Sequence, residues 1–337
     1  MTCQLVREID AGTVSAPAQF QTEIVDACNP VVIRGLVRDW PIVGVAQNVA
    51  ALSEYLAAHA SPKPIGVFVG PAAIEGRYYY NEDLSGFNFR QETLPFPQAL
   101  QTVTAARDPD QDTAYLGSVP MVDYLPGLVD ENPMPLLSGH AAPRLWLGHA
   151  AHIATHYDTM DNLACVFLGT RRFTLFPPDA IADLYIGPID FTMAGQPVSL
   201  AAEAAVDSNR YPRFEQARDK ALTAVLEPGD ALYLPKLWWH QVVSNQPLNG
   251  LINYWWDAFA HGPDTPNMSL MLAMINISER PLAERMAWRA FFDHYVFRPE
   301  GHPLAHLPPE RHGILGPLRP DNYGRIRARI MRALRGG

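Results

Sequence analysis

From about Tyr115 to Trp256 the chain is built of short apolar runs rich in strand-favouring residues, each closed by Gly, Pro, Asn or Asp. The runs are Thr113–Leu116, Arg144–Gly148, Asn162–Leu168, Arg172–Phe176, Ala231–Leu234 and Leu251–Trp256. A core helix needs roughly ten or more residues at a 3.6-residue period, and none of these runs offers that length. Several short strands separated by turn signals describe instead an all-β sandwich or barrel. Leu168-Gly169-Thr170-Arg171 reads as a hairpin turn, and Glu227-Pro228-Gly229-Asp230 as a turn into the next strand. The 31 prolines are spread along the whole chain, so they punctuate strands and mark no single linker.

The flanks differ from this middle. Val31–Val37 reads as a buried strand closed by Asp39-Trp40-Pro41, and Ala51–Ala58 as a helix behind it, so the first hundred residues are expected to be mixed α/β. After Pro266 apolar residues recur at spacings of three and four in Met268–Ile277 and Ala283–Val296. Tyr323–Leu334 is an amphipathic helix in which Arg325, Arg327, Arg329 and Arg332 surround a stripe of Ile326, Ile330 and Ala333, the pattern of a packed or dimerising helix. The expected organisation is a unit over residues 1–262, with a β sandwich or barrel core at about 113–257 and an α/β N-terminal extension, then a helical region 263–337.

Composition narrows the function. Hydrophobic residues at 48% and charged residues at 18% belong to a globular chain. A net charge of -9 disfavours binding to phosphate backbones or anionic lipid, so neither nucleic acid nor membrane is an expected partner. The first residues show no basic start followed by an apolar core, and no apolar run is long enough to span a bilayer. A cytoplasmic protein is expected. Cys3, Cys28 and Cys165, odd in number and irregularly placed, match neither a disulfide framework nor a zinc spacing, and read as reduced thiols.

The chemistry concentrates in His149-Ala150-Ala151-His152-Ile153-Ala154-Thr155-His156-Tyr157-Asp158. On a helix, His149, His152 and His156 would share a face and form a three-histidine site. On a strand, His156 and Asp158 would point to one side as half of a chelate. Ile153, Thr155 and Tyr157 are strand-favouring types, and a third ligand stands downstream in Pro235-Lys236-Leu237-Trp238-Trp239-His240, where Pro235 ends one strand and His240 opens the next. Two imidazoles and a carboxylate on one face of an octahedral metal suit Fe(II) and leave positions for co-substrate and oxygen.

These segments resemble the JmjC/cupin-like 2-oxoglutarate oxygenases, in particular the type of factor inhibiting hypoxia-inducible factor and its bacterial relatives. The resemblance rests on Thr155-His156-Tyr157-Asp158, Asn162, Gly169 to Pro178, Pro228-Gly229-Asp230, Trp238-Trp239-His240 and Asn253-Tyr254-Trp255, with Pro30 to Gly35 and Asp39-Trp40-Pro41 upstream. It implies a double-stranded β-helix, Fe(II) held by His156, Asp158 and His240, and 2-oxoglutarate and O2 as co-substrates. It implies oxidative decarboxylation to succinate and CO2 coupled to hydroxylation of a C–H bond, with Asp158 retained where related halogenases lack the carboxylate. Co-substrate contacts are implied for Tyr115, Thr155, Asn162, Arg171 and Asn253, with Arg171 standing where the family has lysine and Ile153 where close relatives place a threonine. Trp239 and Trp255 are candidates to line the substrate mouth, and residues 180–220 an insert over it. A protein side chain is the expected substrate, with small molecules also open. A catalytically silent cupin-like binding module is the alternative.

Overall fold

The computed structural model describes residues 4–137, 141–193, 195–203, 209–260 and 262–336. Cys3 and residues 194 and 204–208 of the insert lie outside them. The chain divides into two compact units, Met1–Ala258 and Phe259–Gly337.

Eight antiparallel strands in the first unit make the jelly roll. One sheet holds, in spatial order, Ala231–Leu234, Asp161–Leu168, Asn249–Trp256 and Ala142–Gly148; the facing sheet holds Leu222–Leu226, Arg171–Phe176, Trp239–Ser244 and Ala151–His156. Successive strands alternate between the sheets, except that Arg171–Phe176 and Leu222–Leu226 pair within the same sheet. The turn at Gly169, whose φ of +71° is a conformation that glycine adopts without strain, carries the chain from Asp161–Leu168 across to the opposite sheet, so it is a corner and not the hairpin expected from the sequence. The first sheet is extended on one side by Val31–Arg34 and Arg7–Asp10, and on the other by Thr113–Pro120, Pro64–Gly70 and Arg90–Pro95.

Asp161–Leu168 is buried almost throughout because both its faces are covered. Leu163, Cys165 and Phe167 pack into a large core with the N-terminal helices Val49–His59 and Phe96–Thr104, and Ala164 and Val166 pack between the two sheets against Phe173, Leu175 and Leu232. That double coverage explains the unbroken apolar run in the sequence. Cys165 is fully enclosed, and burial pushes its thiol up. The helix Val49–His59 begins where the Asn48 side chain accepts from the Ala51 amide, a cap that closes one of the free N–H groups of the first turn.

The expected strands are all present, most of them a residue or more longer than read from the sequence. Val31–Val37 is shorter, ending at Arg34, because Gly35 turns the chain with φ +68° and its amide donates to Asp230. In the second unit the helices are Pro266–Ile277, Leu282–Phe292 and Pro320–Leu334. No helix among the described residues is long and apolar enough to cross a membrane.

Candidate active site

His156 ends one strand and His240 lies near the start of its antiparallel neighbour, where the two residues are direct register partners. Their rings stand 4.3 Å apart between centroids. Asp158 lies just beyond the strand, its carbonyl accepting from the Leu237 amide at 2.9 Å, and Leu237 takes a left-handed φ of +68° at this junction. Among the described residues, His156, Asp158 and His240 form the one group of three able to hold a metal ion, with ligand atoms all within 4.8 Å of one another.

The donor chemistry fits. His156 Nδ1 donates to the Ala154 carbonyl at 2.8 Å and His240 Nδ1 to the Trp238 carbonyl at 3.0 Å, which leaves each Nε2 lone pair free for a cation. His240 Nε2 lies 3.8 Å from an Asp158 oxygen. Burial, then the neighbouring His156, pushes the His240 pKa well down, so this ring is neutral and ready to ligate at neutral pH. Burial pushes the Asp158 carboxyl up, against the pull of the neighbouring His156.

A cavity of about 190 Å3 opens from these ligands between the two sheets. Arg171 reaches into it, only 3% exposed, with Nε and Nη2 lacking any hydrogen-bond partner. Alternation holds along its strand: Arg171, Phe173 and Leu175 are buried and Arg172 is exposed. Asn162, Asn253, Tyr115 and Trp255 line the same cavity. The Asn253 amide donates to Asn162 at 3.1 Å and accepts from Trp146 Nε1 at 2.7 Å. Trp255 lies under the Arg144 guanidinium at 5.2 Å, with its own Nε1 unpartnered.

Two expected residues go elsewhere. Thr155 is fully buried, but its hydroxyl faces Glu203 at 3.1 Å and it does not line the cavity. The register slips by one residue between the pairs His240/His156 and Val242/Ile153, a bulge that turns Ile153 into the cavity beside His156 and leaves Thr155 on the far side. Trp239 points away from His240, packing edge-on against Tyr157 at 4.8 Å and joining Phe176, Phe214 and Ala217 in the small core of the insert. The other helical-face histidines are accounted for too. His149 accepts from the Ala114 amide, and His152 Nε2 sits 2.8 Å from Glu203.

Glu203 is the residue that spacing did not reveal. One of its oxygens accepts from the Thr155 amide at 2.8 Å and from Gln241 Nε2 at 3.0 Å, so a single carboxylate ties the residue before His156 to the residue after His240. Burial pushes its carboxyl up, but the His152 ring and the Thr155 amide outweigh this and leave it below the usual range. It lies 45 positions past Asp158 with no motif around it, and only the fold brings it there.

The sheet order and the three-residue metal site define a double-stranded β-helix oxygenase scaffold. A cupin-like domain family model matches residues 17–262, and the chain belongs to this JmjC/cupin-like family, whose members are typically Fe(II)- and 2-oxoglutarate-dependent oxygenases. It is 26% identical over 262 residues to a Jumonji C domain-containing protein 5 of Drosophila melanogaster, which covers 74% of this chain and 60% of the relative. It is 37% identical over 114 residues to lysine-specific demethylase JMJ31 of Arabidopsis thaliana, 34% of this chain and 20% of that one. A tRNA wybutosine-synthesizing protein 5 of Danio rerio is 24% identical over 281 residues, 76% of this chain and 77% of the relative. The chain thus spans three fifths of the fly protein and a fifth of the plant one.

Proposed function

We propose that this chain is an Fe(II)- and 2-oxoglutarate-dependent hydroxylase acting on a C–H bond of a protein side chain. The observation that carries the reading is Arg171: a buried guanidinium with two unpartnered nitrogens, facing a cavity that ends at a metal-binding triad. Leaving a charge enclosed without a partner costs several kcal/mol, so the cavity is shaped for an anion. A dicarboxylate with a keto acid at one end meets both demands. Its distal carboxylate takes the Arg171 fork, and its keto-acid end lies toward His156, Asp158 and His240.

Fe(II), when bound, supplies the activation of O2 that couples 2-oxoglutarate decarboxylation to oxidation of the substrate. The net reaction balances as R–H, 2-oxoglutarate and O2 giving R–OH, succinate and CO2, with one oxygen atom in each of the first two products. The protein's part is placement. His156, Asp158 and His240 would hold the ion, and the Asn162–Asn253 pair and Tyr115, which line the same cavity, would flank the co-substrate. Thr155, bonded to Glu203, has no part in this pocket.

The helices of the second unit support a homodimer as a further part of the reading. Pro266–Ile277 has no buried residue, and Met268, Leu270, Met271, Met274 and Ile275 are all exposed, more apolar surface on one helix than a lone chain ordinarily leaves in water. A cytoplasmic location fits Cys28 and Cys165, neither of which is in a disulfide.

The test is to load the protein with iron anaerobically, add 2-oxoglutarate and oxygen, and measure succinate against His156→Ala. Succinate well above that control is expected. No excess, with iron shown to be bound and candidate substrates supplied, would favour a silent binding module.

A further inference from the structure

Beside the co-substrate cavity lies a second one, of about 100 Å3, that shares Tyr115, Trp146, Ile153 and His156 with it and so opens onto the metal position. Its walls are of a different kind. Phe89 contacts both Phe68 and Tyr78 at centroid distances of 5.4 Å, the shared Tyr115 and Trp146 add two more rings, and Ile153, Met193 and Val198 are aliphatic. The Tyr78 hydroxyl is already bonded to Thr113 Oγ1 at 3.1 Å. Among the described residues no carboxylate lines this cavity; its polar side chains are Gln196, the tyrosines and the edge of His156.

We propose that the group this enzyme brings to its metal is uncharged and apolar, an aromatic or branched aliphatic moiety, and not the amine or guanidine of a lysine or arginine. This rests on the oxygenase reading above and specifies its substrate class. An ammonium or guanidinium entering here would lose its water and find no anion, since Asp158 is committed to the metal and Glu203 to His152 and the Thr155 amide. Aromatic faces attract cations, and a methylated ammonium is the strongest competitor. The rings here, with Tyr115 and Trp146 among them, stand together with aliphatic Ile153, Met193 and Val198 and with no carboxylate among the described residues, so a cation would meet rings but no anion to replace its water. A hydrocarbon gains from all of these side chains, whereas a cation gains from the rings alone.

The first test needs no turnover. Binding of toluene, p-cresol and indole to the full-length protein is measured by ligand-observed saturation-transfer NMR against tetramethylammonium, n-butylammonium and methylguanidinium. The neutral probes are expected to bind at least about tenfold more tightly than the cations, a margin set by the cost of desolvating an unpaired charge. Phe89→Glu is expected to reverse the order. Met193→Glu, on the insert and only half-buried, repeats the reversal if Phe89→Glu fails to fold. Cations binding as well as arenes, or arenes binding unchanged in the folded glutamate variants, would overturn the proposal. A second arm compares stimulation of succinate formation by free arenes and by capped pentapeptides with a central Phe, Leu, Lys, Arg or trimethyllysine. Stimulation by arenes or by the Phe or Leu peptides supports the class and identifies its source, while stimulation confined to Lys, Arg or trimethyllysine overturns it. Arene binding with no succinate under any condition would remove the oxygenase reading and leave the preference of the cavity intact.

Discussion

The two cavities that meet at His156 are built on opposite terms. The side beneath the His156–Asp158–His240 cluster is walled mainly by barrel strands and holds one buried cation, Arg171, with the hydrogen-bonded pair of amides Asn162 and Asn253. The other side draws Phe68, Tyr78 and Phe89 from the N-terminal extension, and Met193, Gln196 and Val198 from the insert. The difference separates what is fixed from what varies. On the proposed reading, the co-substrate would meet charge on the barrel strands, and the substrate would meet shape and hydrocarbon on the elements added to them.

This contrast can be broken in steps. The largest effect is expected from Asp158→Ala, which removes one of three ligands and the charge that balances the ion; succinate formation should fall to background, with iron binding lost in a metal assay. Next comes Arg171→Met, which should raise the KM for 2-oxoglutarate about 10- to 100-fold, the worth of one or two charge-assisted hydrogen bonds, and leave toluene binding unchanged. If toluene binding weakened as much, the two cavities would be one site and the comparison would fail. Glu203→Gln should lower iron affinity about tenfold, since partners behind metal ligands carry that weight, with a smaller change in the KM for 2-oxoglutarate. Its acid sensitivity has a definite sign. A carboxyl held below its ordinary value contributes stability that is present above that value and lost as pH falls through the lowered one. Wild type should therefore lose this increment on acidification below about pH 4, whereas Glu203→Gln should lack it throughout, as urea unfolding at several pH values would reveal. The smallest effect is expected from Thr155→Val, about 1 kcal/mol of stability from the lost bond to Glu203, with the KM for 2-oxoglutarate unmoved.

The barrel and the His156, Asp158 and His240 cluster were legible because each leaves a local mark. Runs such as Asn162–Leu168 carry strand chemistry between turn residues, and His156 and Asp158 stand two apart with His240 opening a later strand. Arg171 was legible through alternation with Phe173 and Leu175. Thr155 was implied by resemblance alone, and counting alternately from His156 turns it outward; the bulge that brings Ile153 inward has no signature in single-sequence pattern. Trp239 was misjudged because a large aromatic beside a ligand serves equally as a cavity wall or as a core residue, and the deciding neighbours, Phe214 and Ala217, come from the insert. Glu203 was invisible for the same reason, since its partners are set by tertiary contact.

The position of Glu203 has a consequence for how such a protein diversifies. The segment that supplies Met193, Gln196 and Val198 to the apolar cavity also carries the carboxylate that ties the two histidine strands together, through the Thr155 amide on one and the Gln241 side chain on the other. Exchanging that segment to admit a new substrate would also loosen the seat of the ion, unless the replacement brought an acid to the same spot. Grafts that retain a carboxylate there should keep iron while changing what they oxidise, and grafts that omit it should lose both together.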